Sequence, residues 1–363
     1  MPYFSLKAFS LWLAALACLL AAPAGAAPIT YELVTVGNAG NGSDTRVGAN
    51  TFGKGAVAYD YQIGKYHVTI GQYTAFLNAV AADDTYSLYN SSMGTDLNIA
   101  GISQTGGSGS YTYSVLGCAN RAITYVSWWD SARFANWMAN GQPTGAQGST
   151  TTENGAYNVN GATSGNAVAK NAINPNTSAA PTFYVPTENE WYKAAYYSPN
   201  YGGVGVPGYY AYATQSNTAP GNVVGILANQ ANYNNGVFSV TQSGSYSGSQ
   251  NYLTDVGAFT NSGSSYGTFD QSGNVYQWND LDGTPGSSRG LRGGDWNDVF
   301  AFDVSSSFSG SFDPSLEGDI FGFRLASPVS GSAVPEIDPN GLSAVLGLIA
   351  AGLGLLERRR YGR

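Results

Sequence analysis

The sequence predicts an irregular α+β domain with few helices, short antiparallel strands and long loops. Three observations lead there. Apolar residues make up 43% of the 363-residue chain, enough for a sizeable core. Only 10% of residues are charged, far below the roughly 25% of an average soluble domain. With 48 Gly and 26 Tyr in the chain, that combination excludes disorder, which needs few aromatics and a high net charge. Finally, the segments with clear apolar periodicity are short and are separated by Gly/Ser/Asn-rich tracts.

Taken in order, Ala58–Lys65 alternates and predicts a strand. Residues 69–80 (TIGQYTAFLNAV) carry apolar side chains at helical spacing, with Thr69 as N-cap. Ile123–Val126 predicts a short strand, and Ser127–Met138 an amphipathic helix. Thr187 followed by Glu190 is a capping box opening a helix through Ala195. Strand-like runs follow at Gly267–Phe269, Arg289–Arg292 and Gly322–Leu325. The tracts Gly101–Ser110, Gly141–Gly165 and Ser239–Ser265 are expected to be polar loops inside one domain, because apolar motifs resume after each.

Between Pro28 and Ser327 there are 10 Lys/Arg against 20 Asp/Glu, a body charge of −10. Such a body has no electrostatic footprint for a phosphate backbone, so nucleic acid is excluded as a partner and cations are favoured. The two cysteines are Cys18 and Cys118. With Cys18 in a segment expected to be removed, neither an internal disulfide nor a multi-cysteine zinc site can form. The single histidine, His67, cannot supply a histidine-rich metal site and is expected to pack beside a strand or helix start.

Both ends read as addresses. Lys7, the apolar run Leu11–Ala22 and Ala24-Gly25-Ala26 form the three parts of a signal peptide over residues 1–26, to be cut by signal peptidase. A lipoprotein signal is rejected because the apolar run continues past Cys18 and position 15 is Ala. At the other end Val334-Pro335-Glu336 precedes the uncharged stretch Gly341–Leu356 and then Arg358, Arg359 and Arg360. Its 16 residues are slightly short of the roughly 20 that a full span needs. The arginines are expected to hold that end in the cytoplasm as a transient anchor. Residues 328–363 resemble the PEP-CTERM sorting signal of Gram-negative bacteria. The resemblance implies processing by an exosortase near Pro335-Glu336, and association with extracellular polysaccharide at the cell surface or in the matrix.

Six segments of the body, residues 29–327, carry a second resemblance. They are YQIGKYHVTIGQYTAFLNAV (61–80), RAITYVSWWDSARFANWM (121–138), FYVPTENEWYKAAYY (183–197), YGTFDQSGNVYQWNDL (266–281), RGLRGGDWND (289–298) and FGFRLA (321–326). In order, they resemble the motif series of the formylglycine-generating enzymes, or sulfatase-modifying factors. Among these motifs are L-P-T-E-A-E-W-E-x-A-A, G-L-Y-D-M-x-G-N-V-W-E-W and R-V-L-R-G-G-S-W. The implied fold is the irregular α+β fold of that family, related to C-type lectins. Trp128, Trp191, Trp278 and Trp296 suit it as apolar anchors. Arg292 and Arg324 are expected to bond carboxylates or loop carbonyls inside it.

The resemblance also locates the chemistry and shows what is missing. Active members hold copper(I) on two cysteines shortly after R-G-G-S-[WY], and soft thiolates select that ion. The corresponding residues here are Asp298 and Asp303, hard oxygen ligands suited to other cations or to acid–base work. No copper is expected, and the copper-dependent oxidation of a substrate cysteine is not expected either. Family members also carry structural Ca²⁺. The resemblance places one such site on Asp270, Gly273, Val275 and Gln277, where Gln replaces the family's Glu, and a second on Asn232 and Tyr233. The expected function is that of a non-catalytic envelope or matrix binding module. The alternative is an enzyme with altered, non-copper chemistry at Asp298 and Asp303.

Overall fold

The computed structural model describes residues 28–48 and 50–329. The expected signal peptide, and the expected sorting signal beyond residue 329, lie outside the described residues. Among the described residues, no helix is long and apolar enough to cross a membrane.

Three of the four helices begin where a side chain can satisfy their free amide donors. Thr69, Ser127 and Thr187 each accept from the amide three residues on, and the side chain at that position returns a bond to the cap amide. They open α1 (Ile70–Val80), α3 (Trp128–Ala139) and α4 (Glu188–Tyr196). The remaining helix, α2 (Ser92–Thr95), is a single turn. Every residue of α3 is buried, so it serves as the central post of the core.

The strands are short and form small sheets. β1 (Leu33–Val36), β2 (Tyr61–Gly64) and β11 (Ala326–Pro328) make an antiparallel three-stranded sheet. β3 (Ile102–Thr105) pairs with β4 (Thr112–Val115), and β5 (Tyr197–Ser198) with β6 (Gly208–Tyr209). The sheet that matters most contains β7 (Tyr276–Asn279), β8 (Arg289–Arg292), β9 (Gly310–Phe312) and β10 (Phe321–Phe323), in the order β10-β7-β8-β9. Within it β10 runs parallel to β7, the one departure from the expected antiparallel pairing among the described strands.

Two expected strands are absent. Ile123–Val126 forms no strand, because Tyr125 turns to positive φ; Ile123 donates to the Val68 carbonyl and Tyr125 to that of Gly318, with isolated bridges at Arg121 and Ala122. Gly267–Phe269 makes no ladder. Conversely, the Gly101–Ser110 tract contains β3 and the turn toward β4, a hairpin where a loop was expected. The core is largely aromatic. Trp128, Trp191 and Trp278 are fully buried and Trp296 nearly so, as their anchoring role requires. Trp128 donates to Asp280 and Trp278 to the Val126 carbonyl, so the buried indole N–H groups are satisfied there. His67 is buried between β2 and α1, its Nε2 facing the Val275 carbonyl.

Candidate functional site

β8 ends at Arg292, and the chain then turns through Gly293 and Gly294, both at positive φ. At Gly294 the need for glycine is steric as well as conformational. A Cβ there would lie 2.6 Å from Val304 Cγ1, 2.9 Å from Asp298 Oδ2 and 3.0 Å from the Asp303 carbonyl oxygen. The Gly-Gly turn thus draws the two predicted carboxylate residues to one place. Arg292 holds the strand end. Its guanidinium is ion-paired with Glu188 at 2.6 Å and donates to the carbonyls of Asn50, Ser306 and Phe308.

Two further residues complete the cluster. Asp298 Oδ2 accepts from the Asp295 amide at 2.8 Å, and Asp295 Oδ1 accepts from the Asn297 amide at 2.6 Å. The Tyr276 hydroxyl reaches over from β7 and lies close to Asp298. Burial raises Asp298 to about 6, against the pull of these two groups. Asp295, almost fully buried, is held well above the carboxylate range by burial and then by the charge of Asp298. Burial also raises Asp303, and it raises the Tyr276 hydroxyl, reinforced by the charge of Asp298. Neighbouring carboxyls in a poorly solvated place resist ionising together, which is why all three are raised above the ordinary carboxylate value.

Tyr276 and Asp295 were not singled out from the sequence, though a signal was present. Tyr276 stands where the resembling motif has Trp, and Asp295 where it has Ser. The four departures at 276, 295, 298 and 303 are scattered over 28 positions of chain and meet in one cluster. Every polar atom they bring is oxygen. Cys118 is elsewhere, its thiol 2.9 Å from Asp255 Oδ1.

The segment expected to hold calcium has another task. Gln277 Oε1 accepts from Trp191 Nε1 at 2.8 Å and from Arg324 Nε, while Gln277 Nε2 donates to the Asp270 carbonyl. An amide oxygen has two lone pairs, and both are used. Arg324 adds a positive charge beside that oxygen and donates to the carbonyls of Gly64 and Phe269. Asp270 Oδ2 accepts from the Gly257 amide. The Tyr233 carbonyl accepts from Asn222 and Ser239. The Val275 carbonyl faces His67. Asn232 bridges to Gly273, whose Cβ would meet the Asn232 carbonyl, so the two expected sites are one packed junction. As arranged, Gln277 does not fit a calcium ion, because its side-chain oxygen is saturated by donors, one of them cationic, while the Asp270 carboxylate accepts a single amide.

The sulfatase-modifying factor enzyme 1-like domain family matches residues 31–329. Among solved structures, the chain is similar to CarF, with 22% identity, TM-score 0.44, and coverage of 83% of this chain and 99% of that one. It is also similar to Treponema denticola variable protein 1, with 17% identity, TM-score 0.47, and coverage of 84% and 97%. A third likeness is to PvdO from Pseudomonas aeruginosa, with 16% identity, TM-score 0.41, and coverage of 82% and 92%. No curated protein matches the chain.

Proposed function

Since the chain belongs to the sulfatase-modifying factor enzyme 1-like family, we propose that it is a non-catalytic member, exported and processed by exosortase, that serves as a binding module of the cell envelope or extracellular matrix. One observation carries this reading. Where active relatives are expected to place two thiolates, this chain has Asp298 and Asp303, tied by hydrogen bonds and close packing to Asp295, Tyr276 and Gly294. Carboxylate and phenol oxygens are poor ligands for copper(I), so the inherited redox step has no metal to run on. The reading of both ends as export signals and the low charged fraction of the chain support an extracellular binding role.

The test is a titration of the purified protein with cuprous ion, alongside incubation with a Cys-x-Pro-x-Arg peptide under oxygen. The expected result is no stoichiometric uptake and an unchanged thiol. Tight one-to-one uptake with loss of the peptide thiol would overturn the reading. Retention on the producer's own extracellular polysaccharide supplies the positive arm.

A second reading, acid–base chemistry by the same cluster, is favoured by Asp298 resting at about 6 beside the Tyr276 hydroxyl. A group titrating near the working pH is suited to proton transfer. That reading expects a turnover that Asp298→Asn and Asp303→Asn both abolish.

A further inference from the structure

We propose that the cleft between the 42–46 loop and the β5–β6 hairpin is a binding subsite for a neutral, pyranose-based oligosaccharide. This assignment rests on the binding-module reading above and gives that module an address.

The cleft has a volume of about 350 Å³ and is lined by Ser43, Thr45, Arg46, Tyr197, Tyr201 and Tyr209, among others. That volume lies within the range of small-molecule sites, which combine aromatic walls with a few convergent polar groups. Tyr201 is the exposed wall, at 36%. Its ring packs over Gly208, where a Cβ would come within 2.5 Å of it, and edge-on against Tyr210 at 4.9 Å. Tyr197 and Tyr209 form the inner wall, both buried and packed edge-to-face at 5.1 Å. An aromatic face offers the C–H surface of a sugar ring an apolar partner, and the neighbouring hydroxyls offer its O–H groups hydrogen bonds.

The polar side is built and rigid. Asp44 is 2% exposed and accepts from Tyr192 as well as from Arg46. The Tyr209 hydroxyl donates to the Gly42 carbonyl and accepts from Asn41, pinning the loop to the hairpin. The hydroxyls of Ser43, Thr45 and Tyr197, and Nη1 of Arg46, have no hydrogen-bond partner among the described residues. They are available to a ligand rich in hydroxyls.

Charge selects within the sugars. Arg46 is bound side-on by both Asp44 oxygens, so the cleft presents donors without net positive charge. The body around it carries an excess of carboxylates. Together these disfavour a uronate or sulfated polymer and favour a neutral one.

The experiment uses the purified protein, with cellohexaose, maltohexaose and an N-acetylglucosamine hexamer as neutral probes and hexagalacturonate as the anionic one. Binding is measured by calorimetry for the wild type, Tyr201→Ala, Thr45→Val and Tyr246→Ala, and the unfolding temperature of each variant verifies its fold. Tyr246 is a 60% exposed aromatic that does not line the cleft. The expected result is binding of at least one neutral hexaose and none of hexagalacturonate. Tyr201→Ala should weaken it about tenfold, Thr45→Val about threefold, and Tyr246→Ala not at all. Binding that Tyr201→Ala and Thr45→Val leave intact overturns the cleft assignment alone. Preference for hexagalacturonate overturns its neutral specificity. Failure of the wild type to bind these probes or the producer's polysaccharide overturns both the cleft and the binding-module reading.

Discussion

The two faces of β7 have had different fates. Successive side chains of a strand point to opposite sides, so Gln277 and Tyr276 look into different surroundings. On the Gln277 side each polar atom of that side chain meets a partner from Trp191, Arg324 or Asp270. On the Tyr276 side, carboxyls at 295, 298 and 303 crowd together with fewer donors than they could accept, and burial raises all three. The first face is a closed structural junction. The second holds its carboxyls above their ordinary range, so it can respond to pH.

The largest expected effect breaks the closed face. Arg324→Met should cost about 3–5 kcal/mol in urea unfolding, because it strands Gln277 and the Gly64 and Phe269 carbonyls in the interior. A loss below about 1 kcal/mol would show that the junction contributes little.

Next in size, Gln277→Leu should cost about 2–3 kcal/mol by leaving the Trp191 and Arg324 donors unsatisfied. Gln277→Glu should cost less, since a carboxylate accepts both and pairs with Arg324, although it can no longer donate to the Asp270 carbonyl. Equal losses for the two variants would mean that shape, and not hydrogen bonding, holds this face.

The other face is sharpened by pH. Asp298 rests at about 6 when folded, against an ordinary value of 3.8. The folded state therefore binds more protons than the unfolded one between these values, and stability rises as pH falls from about 7 toward 4. The slope is at most roughly 1.4 kcal/mol per pH unit from this group, and smaller because solvent screens a half-buried carboxylate. Buried Asp270 and Asp280, also about 6, add a background in the same window. Asp298→Asn should flatten the profile while leaving the Asp270 and Asp280 background. An identical slope in the variant would show that this carboxyl is not the one titrating.

The smallest expected effect is that of calcium. Millimolar Ca²⁺ should leave the unfolding temperature unchanged through the 270–277 segment. A rise of several degrees that Asp270→Ala abolishes would reopen that segment as a metal site.

Local chemistry made much of the fold legible. Caps at Thr69 and Thr187 are three-residue signals, and the helices they open begin one residue later. Strands were less readable because a ladder needs a distant partner. Ile123–Val126 has strand-like composition, but the positive φ of Tyr125 breaks any ladder after single bonds to Val68 and Gly318, whereas β3 starts in a Gly/Ser-rich tract and pairs with β4 just beyond it. The candidate site divides the same way. Asp298 and Asp303 could be placed by counting forward from Trp296, but Tyr276 and Asp295 become partners only once β7 and β8 are paired.

The sequence alone determined the family series, the capped helices and the buried tryptophans, because each depends on which residues occur and at what spacing. The tertiary structure alone decided that Gln277 is spent on Trp191 and Arg324, which lie 86 and 47 positions away. It also decided that four scattered substitutions form one cluster. A lone pair's availability depends on which donors the folded chain brings within hydrogen-bond distance, and sequence spacing carries no record of that.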